Sequence, residues 1–152
     1  MPKIINYNFK KFNSFNSKEL KAANTVVKSG KLSEFLAGEL EGGKQVQKFE
    51  KSIKKYFNTK YAITLNSWTS GLIAAVGALD IEPGDEIIVS PWTMCATATA
   101  IIHWNCIPVF VDIEADTFCI DPKKIEAKIT SRKKAIIAVD IFGQSSDILK
   151  IK

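Results

Sequence analysis

Arginine is almost absent from this chain: of its 21 basic residues, only Arg132 is not a lysine. A net charge of +5 invites a nucleic-acid reading, but bidentate recognition of bases and phosphates favours the guanidinium fork, and scattered lysine is ordinary solvated surface. Lys44, Lys48, Lys51 and Lys55 fall on one helical face, opposite Val46, Phe49, Ile53 and Phe57. An amphipathic surface helix requires this pattern, so no nucleic-acid partner is expected. Histidine is scarcer still. His103, the only one, ends an Ala-rich stretch and reads as a partly buried structural residue rather than a general base. No Ser-His-Asp nucleophile elbow or histidine-rich metal set can be assembled. The three cysteines, Cys95, Cys106 and Cys119, form no close pair and are odd in number, which fits reduced thiols in the core. No stretch approaches the roughly 18 apolar residues needed to span a bilayer, and Met1-Pro2-Lys3-Ile4-Ile5-Asn6 opens no run of signal-peptide length. A cytoplasmic home without a membrane partner is expected. Neither a Gly-x-Gly-x-x-Gly turn nor a phosphate-loop lysine is present, which removes the main support for nicotinamide dinucleotide or ATP.

What is present is a chain of 152 residues, 46% hydrophobic, enough for one domain with a real core. A first helix is expected over 17–29, with Asn16 or Ser17 as its cap and Gly30 as its stop. A polar, glycine-containing segment, 33–43, precedes a second helix over 45–57. From Lys60 the pattern alternates: strand 61–65, helix 69–79, strand 86–90, helix 94–103, strand 108–112, helix 122–129, strand 135–140. Glu82-Pro83-Gly84-Asp85 fits a type II turn, and Asp121-Pro122 fits an N-cap followed by proline at the first helical position. Ile87-Ile88-Val89, Val109-Phe110-Val111 and Ala135-Ile136-Ile137-Ala138-Val139 are continuous apolar runs, the mark of strands covered on both faces. The fold class is α/β, with a mainly parallel, helix-covered sheet.

Ligands of such sheets bind beyond the carboxyl ends of the strands. Four polar clusters follow strands directly, 66–70, 90–94, 112–116 and 140–144, and are expected at one edge. The first, Asn66-Ser67-Trp68-Thr69-Ser70-Gly71, carries the most information. Hydroxyl residues where a strand gives way to a helix offer unpaired N–H groups and the positive end of the helix dipole, an anion site suited to phosphate. Ser and Thr are also ordinary helix caps.

These residues resemble the DegT-type sugar-nucleotide aminotransferases, pyridoxal-phosphate enzymes of fold type I. The match is collinear from Lys44 onward. It runs through Phe49-Glu50 with Tyr56, Tyr61 to Leu72, Pro83-Gly84-Asp85-Glu86, Pro91-Trp92-Thr93-Met94-Cys95-Ala96-Thr97, Pro108-Val109-Phe110-Val111-Asp112, Asp121-Pro122, Lys134 to Ile137 and Phe142-Gly143-Gln144. The resemblance implies that Trp68, Thr69 and Ser70 hold the cofactor phosphate by backbone N–H groups and a hydroxyl. Trp68 departs from the small residue common there. Met94 stands where the family usually stacks an aromatic ring on the pyridine, and either Met94 or Trp92 is implied as the ring cover.

The resemblance further implies transfer of an amino group from an amino-acid donor, glutamate for preference, to a keto-sugar nucleotide, with pyridoxal phosphate as carrier and a homodimer as the assembly. Residues 1–43 would form an N-terminal arm with the first helix, and 44–152 the N-terminal part of the cofactor-binding large domain. The family's Schiff-base lysine and the carboxylate that pairs with the pyridine nitrogen lie downstream of the segment matching Gln144, and no lysine here stands in the matching position. The chain is therefore expected to be the N-terminal portion of such an enzyme, inactive alone and with no catalytic residue of its own. The alternatives are an inactive relic kept as an oligomerisation module, and an unrelated phosphate-ligand binding domain.

Overall fold

The computed structural model describes residues 13–33 and 42–152, which fall into two compact units, Met1–Thr64 and Leu65–Lys152.

In the first unit, helix α1 spans Ser17–Ser29. The Lys18 N–H donates to Asn16 Oδ1 at 2.9 Å and the Asn16 N–H donates to the Glu19 carboxylate at 2.7 Å, so cap and third residue satisfy each other's end of the helix. Gly30 ends it at φ 67°, a left-handed conformation that glycine adopts without a Cβ penalty. Helix α2 spans Lys44–Phe57 and ends on Asn58 at φ 51°. Neither helix buries a residue among those described, and Phe49 and Phe57 stay exposed. The apolar stripe of α2 is therefore present but uncovered within its unit. The glycine-containing segment expected before α2 lies mostly outside the described residues.

Residues 61–65, expected as a strand, form none. No described strand pairs with them, Ile63 is 82% exposed, and the segment is tied down instead by Thr64, whose N–H and Oγ1 both donate to Glu50 Oε1 at 2.9 Å. A β-prone run needs a ladder partner to be a strand.

The second unit holds helix α3 (Trp68–Gly77), strand β1 (Glu86–Val89), helix α4 (Cys95–His103), strand β2 (Ile107–Phe110), short helix α5 (Pro122–Ile125), strand β3 (Lys133–Ile137) and short helix α6 (Ile148–Ile151). The sheet has the order β2-β1-β3 with both pairings parallel. Only the central strand is covered on both faces. Ile87 and Val89 point to one side, against Val76, Ala100, Ile101 and Cys106, and Ile88 points to the other, against Val111, Ile120 and Ile125. Each fully buried isoleucine contributes on the order of 1.5–3 kcal/mol. The edges β2 and β3 are half-buried or exposed.

The turn into β1 forms as expected, with Gly84 at φ 91° and the Asp85 N–H donating to Glu82 O at 3.0 Å. Asp121 caps α5 through the Lys123 N–H, but the helix closes after Ile125 into a 3₁₀ turn over Glu126–Lys128. Two further expectations are corrected. Cys106 and Cys119 are buried, but Cys95 is exposed because it occupies the first turn of α4 at the open end of the sheet. His103 is exposed and edge-on to the Trp104 ring at 5.7 Å rather than partly buried.

Candidate functional site

A cleft of about 550 Å³ opens in the second unit beyond the ends of β1 and β3. Trp68, Thr69 and Leu72 of α3 line it, with Thr93, Met94, Ala96 and Thr97 at the start of α4 and residues 137–141 after β3. Three of the four strand-end clusters thus meet in it. The fourth, 112–116, does not line it. There the chain doubles back through the Ile113–Ile120 bridge, the Glu114 N–H donating to Cys119 O at 2.9 Å, and Asp112 pairs with Lys124 at 3.1 Å.

The polar groups at the start of α3 divide into two sets. Ser67 is the N-cap, its Oγ accepting the Ser70 N–H at 3.1 Å, and Ser70 Oγ donates to Asn66 Oδ1 at 2.8 Å. Both Ser70 donors are thereby committed inside the chain, and Ser70 is not among the cleft-lining residues. The N–H groups of Trp68 and Thr69 precede any intrahelical acceptor, and the Thr69 hydroxyl has no partner among the described residues. No acidic residue stands in this turn. A Cβ at Gly71 would lie 2.8 Å from Trp68 Cε3, so glycine leaves the exposed indole its present place.

Met94 and Trp92 separate. Met94 lines the cleft and is 74% exposed, whereas Trp92 does not line it and faces Phe118, ring centroids 6.1 Å apart. The turn responsible is short, with the Trp92 N–H donating to buried Ser90 Oγ at 3.1 Å.

Asp140 is the one carboxylate lining the cleft, and no lysine lines it. The Ser146 N–H donates to Asp140 Oδ1 at 2.8 Å and Ser146 Oγ donates to Val139 O at 3.1 Å. This clamp turns the chain sharply, with Phe142 at φ 51° and Gly143 at φ 84°. Helix α6 starts after the clamp, at Ile148, capped by Asp147.

Sequence reasoning singled out neither Asp140 nor the Thr93 and Thr97 pair as site residues. The available signal was two threonines four apart across a helix start, a spacing that brings side chains together.

The profile of the DegT/DnrJ/EryC1/StrS aminotransferase family matches residues 14–152. The spore coat polysaccharide biosynthesis protein SpsC of Bacillus subtilis (strain 168) is 46% identical over 112 residues, 74% of this chain and 29% of that protein. GDP-perosamine synthase of Vibrio cholerae is 32% identical over 139 residues, 91% of this chain and 36% of that protein. The crystal structure of NtdA from Bacillus subtilis with bound cofactor PMP aligns with a TM-score of 0.74 at 33% identity, covering 90% of this chain and 30% of that one. The chain spans about a third of the length of these relatives. Its parallel α/β architecture is that of the fold type I pyridoxal-phosphate aminotransferases.

Proposed function

The chain belongs to the DegT/DnrJ/EryC1/StrS aminotransferase family, which is pyridoxal-phosphate-dependent, and on that premise we propose that it supplies the phosphate-binding and ring-covering part of a sugar aminotransferase site. The observation that carries this reading is the cleft itself, with the start of α3 on one wall and Met94 on another.

The residues present fit the phosphate end of pyridoxal phosphate. Two unpaired N–H groups, at Trp68 and Thr69, the Thr69 hydroxyl and the helix dipole offer donors without a nearby lysine or a first-turn carboxylate. Ser67 and Ser70 keep that turn rigid rather than binding directly. Met94 would cover a face of the ring with its polarizable sulfur, and Trp92 is left to Phe118. The cofactor, when bound, supplies an electron sink that carries an amino group between donor and acceptor. This chain's residues hold and orient it.

In this reading residues 44–152 are the N-terminal part of the cofactor-binding large domain and 1–43 an arm preceding it. The lysine that carries the cofactor covalently and the carboxylate for the pyridine nitrogen would come from outside this segment, a reading supported by its coverage of about a third of the relatives. The donor would be an amino acid, glutamate for preference, the acceptor a keto-sugar nucleotide, the assembly a homodimer and the compartment the cytoplasm. Among the described residues no helix is long and apolar enough to cross a membrane.

Calorimetric titration with pyridoxamine 5′-phosphate tests the reading. This probe carries an amine in place of the aldehyde and so cannot condense with surface lysines. Saturable one-site binding, weakened by Thr69→Ala and competed by inorganic phosphate, is expected, with no keto acid formed from glutamate. A chain that takes up no pyridoxamine 5′-phosphate contradicts it.

A further inference from the structure

The hydroxyl oxygens of Thr93 and Thr97 lie 3.0 Å apart, and among the described residues each is the other's only hydrogen-bond partner. Two O–H donors share one bond, so one proton is used within the pair and the other must go elsewhere. Burial decides which. Thr97 is 5% exposed, and a buried donor left unmade is costly. Either oxygen can donate by geometry, and burial favours the arrangement in which Thr97 donates to Thr93 Oγ1. The Thr93 proton is then turned away from Thr97, and Thr93 lines the cleft. Asp140, the carboxylate in the same cleft, holds the Ser146 N–H and makes no hydrogen bond to Thr93.

We propose that Thr93 donates its hydroxyl proton to an acceptor oxygen of the ligand that fills the cleft, with Thr97 as the positioning residue that aims it. The inference rests on the cofactor reading above and extends it. The acceptor is an oxygen of a pyridoxyl phosphate, on either its phosphate or its ring.

The test titrates the wild-type chain, Thr93→Val, Thr93→Ala, Thr93→Ser and Thr97→Val with pyridoxamine 5′-phosphate, pyridoxamine and inorganic phosphate. Thr93→Val and Thr93→Ala are expected to weaken pyridoxamine 5′-phosphate about tenfold or more, the loss typical of a charge-assisted hydrogen bond. Thr93→Ser retains the affinity, and Thr97→Val lowers it severalfold because the Thr93 hydroxyl loses its aim. A parallel loss for inorganic phosphate assigns the phosphate as acceptor, and a parallel loss for pyridoxamine assigns the ring. Unchanged affinity in folded Thr93→Val and Thr93→Ala overturns the inference while leaving the cofactor reading intact. A wild-type chain that binds no probe refutes the cofactor reading, and the hydroxyl protons then decide the pair. A slowly exchanging Thr97 hydroxyl proton, close to Thr93 by NMR, supports the donor direction, and a slowly exchanging Thr93 proton with a fast Thr97 proton overturns it.

Discussion

Trp104 fills the space that a side chain at Gly77 would need: a Cβ there would stand 2.3 Å from Trp104 Cζ2. The indole is fixed in place, its Nε1–H donating to Ile73 O at 2.8 Å, so the ends of α3 and α4 are locked by one ring. Gly77→Ala gains helix propensity of about 1 kcal/mol but must displace this ring, and overpacking costs about 1–3 kcal/mol. A net loss of stability is expected in denaturant unfolding, and a variant as stable as the wild type would show that the indole moves freely.

Glu86 should contribute to the acid sensitivity of the fold. Its carboxyl accepts from Thr130 Oγ1 and from the Arg132 guanidinium, which hold it below the ordinary value of 4.5 against the opposing effect of burial. A carboxyl depressed on folding adds stability that is fully present above its unfolded value and lost as pH falls through the folded one. The wild-type melting temperature should therefore fall below about pH 4.5 more steeply than that of Glu86→Gln. Parallel profiles would remove Glu86 from the account.

Met94 and Trp92 give opposite expectations. Met94→Ala should weaken pyridoxamine 5′-phosphate severalfold, in line with about 0.3–1.5 kcal/mol for a sulfur on an aromatic ring, and Trp92→Ala should leave the affinity unchanged. The reverse order, read by calorimetry, would make Trp92 the ring cover.

These contrasts mark where the sequence was legible. The ends of α1 were written locally, in Asn16 and Gly30, as were the Glu82 to Asp85 turn and the Asp121-Pro122 start of α5, because caps and turns depend on residues a few positions apart. Helix and strand alternation from Glu86 onward was legible for the same reason. Residues 61–65 have strand composition, but pairing depends on a distant partner that the described residues do not supply. The choice between Met94 and Trp92 depends on Phe118, 26 residues beyond Trp92, and the turn before α6 on a clamp between Ser146 and Asp140. The Thr93 and Thr97 pair was visible as a spacing but not as a site, because its meaning comes from the burial of one hydroxyl and the cleft beside the other.

Self-association is expected of the purified chain. Phe49, Tyr56 and Phe57 around α2, and Ile107 and Phe110 on the edge strand β2, are exposed, and uncovered apolar surface and open strand edges favour association. Light scattering should give a mass well above 16.9 kDa. A stable monomer with a single cooperative unfolding transition would count against this and against the proposed homodimer.

The central claim, that the start of α3 is a phosphate cradle, is tested most directly by backbone amide NMR during titration with pyridoxamine 5′-phosphate. The account predicts saturating shifts of the Trp68 and Thr69 amide signals, with Met94 and Thr93 moving on the same curve and helix α1 unmoved. Saturation that leaves Trp68 and Thr69 unshifted, or shifts confined to the lysine-rich face of α2, would contradict it.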